Sequence, residues 1–230
     1  MGTSRLLRTH CIYCGERATA RDHVPPKTIF NEPLPQNLNT VPSCHRCNNS
    51  ASLDEQYFLL FLSRVCSTSG MGIKLAEGGI INRTFIHAPA LELRLSKSCG
   101  FIEENGTPYI VPELERLHRI AKKIATGLFA LRYRRIPIAD QVGDVGLWSY
   151  AMEDQRPWPA FIATYTERFN PKPWRELQAG TFSYISVRDA KHIGKLLCIM
   201  DFYQAVWGVV SLPNPESAFQ RIAAQIRLFP

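Results

Sequence analysis

The 230-residue chain is 45% hydrophobic and 20% charged, which excludes a disordered or fibrous polymer and leaves one or two folded domains. A formal net charge of +7 admits a polyanionic partner such as DNA or RNA, because basic surfaces attract phosphate, but charge of this size selects no partner by itself. No secretion-type apolar core follows Met1, and the most apolar run, Leu196–Leu212, is short for a bilayer and contains Asp201, so a cytoplasmic chain without membrane association is expected.

Residues 1–50 hold paired cysteines and turn formers but little continuous apolar sequence, so a metal cross-link is physically useful there. The run SLDEQYFLLFLSRVC predicts a helix, with Ser52 as cap and Glu55 three positions later as in a capping box. Gly70, Gly72, Gly78 and Gly79 interrupt the next stretch. Leu91, Leu93 and Leu95 then alternate with Glu92, Arg94 and Ser96, a pattern that predicts a strand. The longest predicted helix is VPELERLHRIAKKIATGLFALRYRR. Pro112 suits its first turn, and Leu114, Leu117, Ile120, Ile124, Leu128 and Leu131 form an apolar stripe that Gly127 interrupts.

Beyond Pro137, WPAFIATYTERF, GTFSYISV and KLLCIMDFYQAVWGVVSL predict strands separated by turns. The last is also compatible with a helix, since a continuous apolar run does not fix the period. PESAFQRIAAQIRLF predicts a short closing helix. Trp148, Trp158, Trp174 and Trp207 lack the spacing of a base-stacking motif and are expected to pack between elements.

Seven cysteines are present. Cys66, Cys99 and Cys198 stand singly in apolar surroundings and read as small buried hydrophobes. The other four form two Cys-x-x-Cys pairs, Cys11/Cys14 and Cys44/Cys47, with Gly15 after the first and Arg46 within the second. Each pair brings two thiolates to one ion, and the 29 residues between Cys14 and Cys44 are enough for a hairpin that returns to the site. Structural Zn2+ is the expected occupant in a reducing compartment, with iron compatible on ligand chemistry alone. A redox role would account for only one pair. Four thiolates close the coordination shell, so any catalysis needs other groups.

Those groups lie between the pairs. Asp22 offers a hard oxygen suited to Mg2+ or Mn2+, and His23 a proton acceptor near neutral pH. Asn48 follows Cys47 directly and offers an amide oxygen, while Asn39 precedes TVPSC, where it could tie the loop by side-chain hydrogen bonds. Each residue alone also reads as an ordinary turn former. Pro25 and Pro26 restrict the chain as it leaves Asp22 and His23.

Taken together, CIYCG, RDHVPP and NTVPSCHRCNNS resemble the HNH nuclease family in its zinc-bound, four-cysteine form, over about residues 11–50. The resemblance implies a strand–loop–strand–helix ββα-metal fold. It makes Asp22 and Asn48 ligands of one catalytic divalent cation, Mg2+ or Mn2+, and makes His23 the general base. It gives Asn39 the task of restraining the His23 backbone. Asn37 competes with Asn39 for that role, and Asn49 with Asn48. Where many relatives carry a lysine three residues after the metal-binding asparagine, this chain has Ala51.

The expected protein is therefore α+β. Residues 1–68 form a zinc-stabilised ββα-metal module, and residues 69–230 a larger mixed α/β region of unknown function that could bind substrate. The expected activity is metal-dependent endonucleolytic hydrolysis of phosphodiesters, with DNA as the expected substrate; the alternative is a zinc-stabilised, non-catalytic nucleic-acid-binding module. Arg17, Arg21, Lys27 and Arg46 lie beside the proposed site as possible phosphate contacts. The run Arg116, Arg119, Lys122, Lys123, Arg132, Arg134 and Arg135 reads either as a phosphate-contacting helix face or as a solvated structural face complementing the helix dipole.

Overall fold

A computed structural model describes residues 9–67, 70–101, 103–104, 106, 108–133, 145–149, 174–189 and 195–213. The fold is α+β. Strands β1 (Ala20–His23) and β2 (Thr40–Ser43) pair antiparallel, with Asp22 opposite Val41 and His23 opposite Thr40. After one 3₁₀ turn at Lys27–Ile29 and the return through β2 come the short helix α1 (His45–Asn49) and the longer α2 (Ser52–Val65). Three more helices follow: α3 (Gly70–Glu77), α4 (Gly79–His87) and α5 (Pro89–Lys97). A small hairpin, β3 (Cys99–Phe101) with β4 (Pro108–Ile110), leads into α6 (Leu114–Tyr133). The remaining strands are β5 (Val145–Ser149), β6 (Arg175–Gln178), β7 (Phe182–Asp189), β8 (Lys195–Phe202) and β9 (Val206–Pro213). They form one antiparallel sheet in the order β5-β9-β8-β7-β6.

Three local expectations are corrected. The leucine alternation belongs to helix α5, not a strand: Leu91 and Leu95 are buried four residues apart on one face, while Leu93 is exposed. Pro89 in the first turn and straight-chain helix formers after it favour that outcome. The capping box at Ser52 is absent, because Ala51 is the residue before the helix and the Glu55 carboxylate is engaged by Lys123. Cys99 is exposed, whereas Cys66 and Cys198 are buried as expected. The predicted strand in WPAFIATYTERF, the closing helix, Trp158, Arg134 and Arg135 lie outside the described residues.

The apolar run Leu196–Leu212 resolves into the β8–β9 hairpin. Leu197, Cys198, Ile199, Met200 and Phe202 are all buried, so both faces of β8 are covered and the usual polar alternation disappears. Its three-residue connection, Tyr203 to Ala205, puts Tyr203 and Gln204 at φ 58° and 54°. Left-handed backbone is unusual for non-glycine residues but has the twist that tight hairpins need. Tyr203 is held there by tertiary contacts: its ring is fully buried and its hydroxyl donates to the Ile29 carbonyl. A second tie joins the sheet to the amino-terminal loop. The Gln178 side chain accepts from Asn31 N–H (3.0 Å) and donates to the Asn31 and Pro33 carbonyls (2.8 and 3.1 Å).

One buried apolar cluster connects these parts. It runs from Ile12 and Val24 through Phe58 and Leu62 of α2 and Ile120 and Leu128 of α6 to Phe182, Phe202 and Val210 of the sheet. Phe58 meets Phe202 edge-on at 5.3 Å, and Phe30 meets Phe182 at 6.4 Å. The core is therefore continuous across residue 68. Helix α6 packs on α2, β2, β5 and β9 with Leu117, Ile120, Ile124 and Leu128 inward. Gly127 permits this approach, since a Cβ there would lie 2.5 Å from Val24 Cγ2. Among the described residues no helix is long and apolar enough to cross a membrane.

Candidate metal centre and the Asp-His strand

Cys11 and Cys14 sit on a tight turn in which Gly15 N–H donates to the Cys11 carbonyl (2.9 Å) and Cys11 N–H to the Glu16 carbonyl (2.7 Å). Gly15 closes the turn at φ +77°, where a side chain would be strained. The opposing pair begins where β2 ends: Cys44 precedes α1 and Cys47 lies within it, with Cys47 N–H donating to Cys44 Sγ (3.4 Å). Ile12 N–H to the Pro42 carbonyl (3.1 Å) and Thr19 N–H to the Ser43 carbonyl (3.0 Å) clamp the two turns together.

All four sulfurs lie within 4.8 Å of one another, and Cys14 Sγ is 3.7 Å from Cys44 Sγ. Zn–S bonds of about 2.3 Å at tetrahedral angles put sulfurs roughly 3.8 Å apart, so this set fits zinc. Burial raises the Cys11 thiol pKa, but backbone donors from Cys44, Cys14 and Tyr13 outweigh it and bring the group down to about 7. That favours the thiolate form at Cys11, whereas burial raises the Cys14 and Cys47 thiols, whose protons a bound ion would displace. Among the described residues, this is the one group of three or more Cys, His, Asp or Glu side chains close enough to share an ion. It could hold a structural metal such as zinc.

β1 carries Asp22 and His23 in succession. Strand alternation buries Asp22, at 6% exposure, and leaves His23 half-buried. Inside, Tyr13 Oη donates to Asp22 Oδ2 (2.8 Å) and Lys123 Nζ lies 2.9 Å from the same oxygen. Lys123 also donates to Glu55 Oε1 (2.6 Å) and lies 5.7 Å from the centre of the Tyr13 ring. Burial opposes the Lys123 charge, but Asp22 and Glu55 outweigh it and raise its pKa. Burial, then the Asp22 charge, also lifts the Tyr13 hydroxyl well above its usual range, so it remains a donor. Both contacts to Asp22 fall on Oδ2.

The remaining predicted residues gather around the same hairpin. The Asn39 main-chain carbonyl accepts Val24 N–H (2.9 Å), immediately after His23, and Asn39 is half-buried where Asn37 is exposed. Asn48 is half-buried on α1, which packs against β1, while Asn49 is exposed. Among the described residues no hydrogen bond joins the Asp22, His23 and Asn48 side chains to one another. Tyr13 and Lys123, which contact Asp22, and Glu55, which contacts Lys123, were not singled out for this role by sequence. Tyr13 sits inside a Cys-x-x-Cys and Lys123 inside a basic run, but no local spacing links them.

Several members of the basic run on α6 are engaged by side chains of neighbouring elements. Arg116 pairs with Asp54 (3.2 Å) and Glu113 (2.9 Å), Arg119 pairs with Asp54, and Arg132 donates to Ser186 Oγ (3.1 Å). These contacts fit the structural alternative for that face. Near β1, Arg21 is tied to Thr40 and Arg46 to Glu16, while Arg17 and Lys27 are exposed. No protein-family model matches this chain, and no curated protein or solved structure matches it either.

Proposed function

We propose that the protein is a metal-dependent endonuclease of the HNH type, with the four cysteines holding structural zinc and the β1–β2–α1 unit carrying the reaction. The observation that supports this reading is the combination of chain order and chemistry. An antiparallel strand pair bearing Asp22 and His23 runs into a short helix bearing Asn48, all of it folded over one four-thiolate cluster.

In this reading His23 accepts a proton from the attacking water as the water oxygen bonds to phosphorus. The bond from phosphorus to the 3′ oxygen breaks, and the departing 3′ oxyanion takes a proton from solvent, leaving a 5′-phosphate and a 3′-hydroxyl. Asn39 restrains the backbone beside His23, keeping the imidazole aligned. Asp22 and Asn48 would hold a divalent cation, Mg2+ or Mn2+, which when bound would supply positive charge at the scissile phosphate. Tyr13 and Lys123 both contact Asp22 Oδ2 and orient the carboxylate. DNA is the proposed substrate.

The Lys123 ammonium beside Asp22 favours a second reading, a zinc-stabilised nucleic-acid-binding module in which Asp22 is a buried structural counter-ion. Purified protein incubated with plasmid, linear and single-stranded DNA and with RNA, with Mg2+ or Mn2+ and with chelator, separates the two. The nuclease reading expects cation-dependent cleavage that His23→Ala abolishes while folding and zinc content are retained. Cleavage undiminished by that substitution would remove His23 from the chemistry. Nucleic-acid binding without cleavage at normal zinc content would favour the second reading.

A further inference from the structure

We propose a second metal position at the turn end of the five-stranded sheet: an oxygen-lined site for one divalent cation of the calcium class, formed by Glu176, Thr181, Ser183 and Asp201. It shares no residue with the cysteine cluster or the Asp-His strand. The pairing register sets Glu176 opposite Ser183 and Ser183 opposite Asp201, so the three stand in a row across β6, β7 and β8. Residues opposite one another in adjacent strands point to the same face, so two carboxylates flank one hydroxyl. They line a pocket of about 30 Å³ together with Gly180, Thr181 and Gln204.

Two polar atoms here are buried without a hydrogen-bond partner, Asp201 Oδ1 and Thr181 Oγ1. Thr181 is only 1% exposed. Buried polar atoms are ordinarily satisfied, and a pocket of this size admits one water or one ion. Charge decides between them. Among the described residues neither Glu176 nor Asp201 has a Lys, Arg or His partner in an ion pair. Burial, and then the Glu176 charge, push the Asp201 carboxyl up to about 6, although Gln204 N–H partly offsets the shift.

A water would satisfy both orphan atoms but leave two like charges facing each other. One divalent cation satisfies the atoms and neutralises the charges. All the side-chain donors are oxygen, which selects a hard ion. An irregular set that includes an exposed carboxylate suits the adaptable shell of Ca2+ better than the strict octahedron of Mg2+. Glu176 Oε1 already accepts Gly180 N–H (3.2 Å), which orients that carboxylate at the pocket.

Terbium is the probe for this site. Trp207 lies directly opposite Asp201 in the β8–β9 register, with the Trp174 ring 5.4 Å away, so indole excitation should sensitise a bound lanthanide. A hard lanthanide leaves thiolate-bound zinc in place. Zinc-loaded full-length protein in calcium-free buffer should give saturable sensitised emission that Ca2+ displaces. Asp201→Asn and Glu176→Gln should each weaken Tb3+ binding about tenfold or more at unchanged zinc content.

Thermal unfolding supplies a second readout with a change of sign. Without Ca2+, Asp201→Asn should be more stable than the wild type at neutral pH, because it removes a carboxylate that lies beside Glu176 with one buried oxygen unpartnered. With Ca2+, the wild type should be the more stable. Absence of saturable wild-type binding, or identical Tb3+ titrations for the wild type and both variants, would overturn the site and leave a water pocket. A variant that stays more stable than the wild type with Ca2+ present would do the same.

Discussion

Asp22 shows how far one residue's role depends on its surroundings. Its carboxylate is buried with Tyr13 and Lys123, and Lys123 also engages Glu55. Removing one member of a buried ion cluster leaves uncompensated charge, which typically costs about 3–5 kcal/mol. Lys123→Met should therefore destabilise the zinc-loaded protein by about that amount in guanidinium unfolding. Adding Glu55→Gln should recover part of the loss, because one of the two stranded carboxylates is removed. A Lys123→Met variant as stable as the wild type would mean that the ammonium contributes no net stability. The Asp22–His23 pair was legible in the sequence because the residues are adjacent. Their unequal burial was not, since it depends on which face of β1 receives α2 and α6.

At the scale of elements, the clearest reading was α6, whose buried stripe repeats at helical spacing from Leu117 to Leu128. Sequence went astray at α5 because Leu91, Leu93 and Leu95 satisfy a two-residue alternation while Leu91 and Leu95 also satisfy the four-residue spacing of a helix. Packing resolved the ambiguity by burying the outer pair and exposing Leu93. Gly127 is a related case. It looked like a weak point in α6, yet it is where the helix approaches Val24 just beyond the Asp-His pair. Gly127→Ala gains about 1 kcal/mol of helix propensity but inserts a methyl into occupied space. The expected net effect is a loss of about 1–3 kcal/mol in chemical unfolding. A stabilised variant would show that Val24 yields at little cost.

For the whole molecule, the decisive feature is a buried core that continues from the cysteine-bearing turns to the sheet. Tyr203 and Gln178 reinforce that continuity by bonding to the loop between β1 and β2. Metal release should consequently be felt far from the cysteines. Chelation, or Cys44→Ser, should lower the midpoint of one shared unfolding transition followed by far-ultraviolet circular dichroism and tryptophan fluorescence, because metal ligation is coupled to folding. Two separated transitions, with the fluorescence change unmoved by chelation, would contradict that coupling.

The sequence by itself determined the features that depend on short spacing: the paired cysteines, the Asp-His step between them, the long amphipathic helix and the strand-rich carboxy-terminal half. Thiolate coordination and hydrophobic periodicity act over a few residues and leave a local record. Only the tertiary structure decided that Lys123 meets Asp22, that Tyr203 plugs the sheet into the amino-terminal loop, and that Glu176 and Asp201 share a pocket. Each of those contacts joins residues distant in the chain, and a buried charge or hydroxyl finds its partner only when whole elements pack.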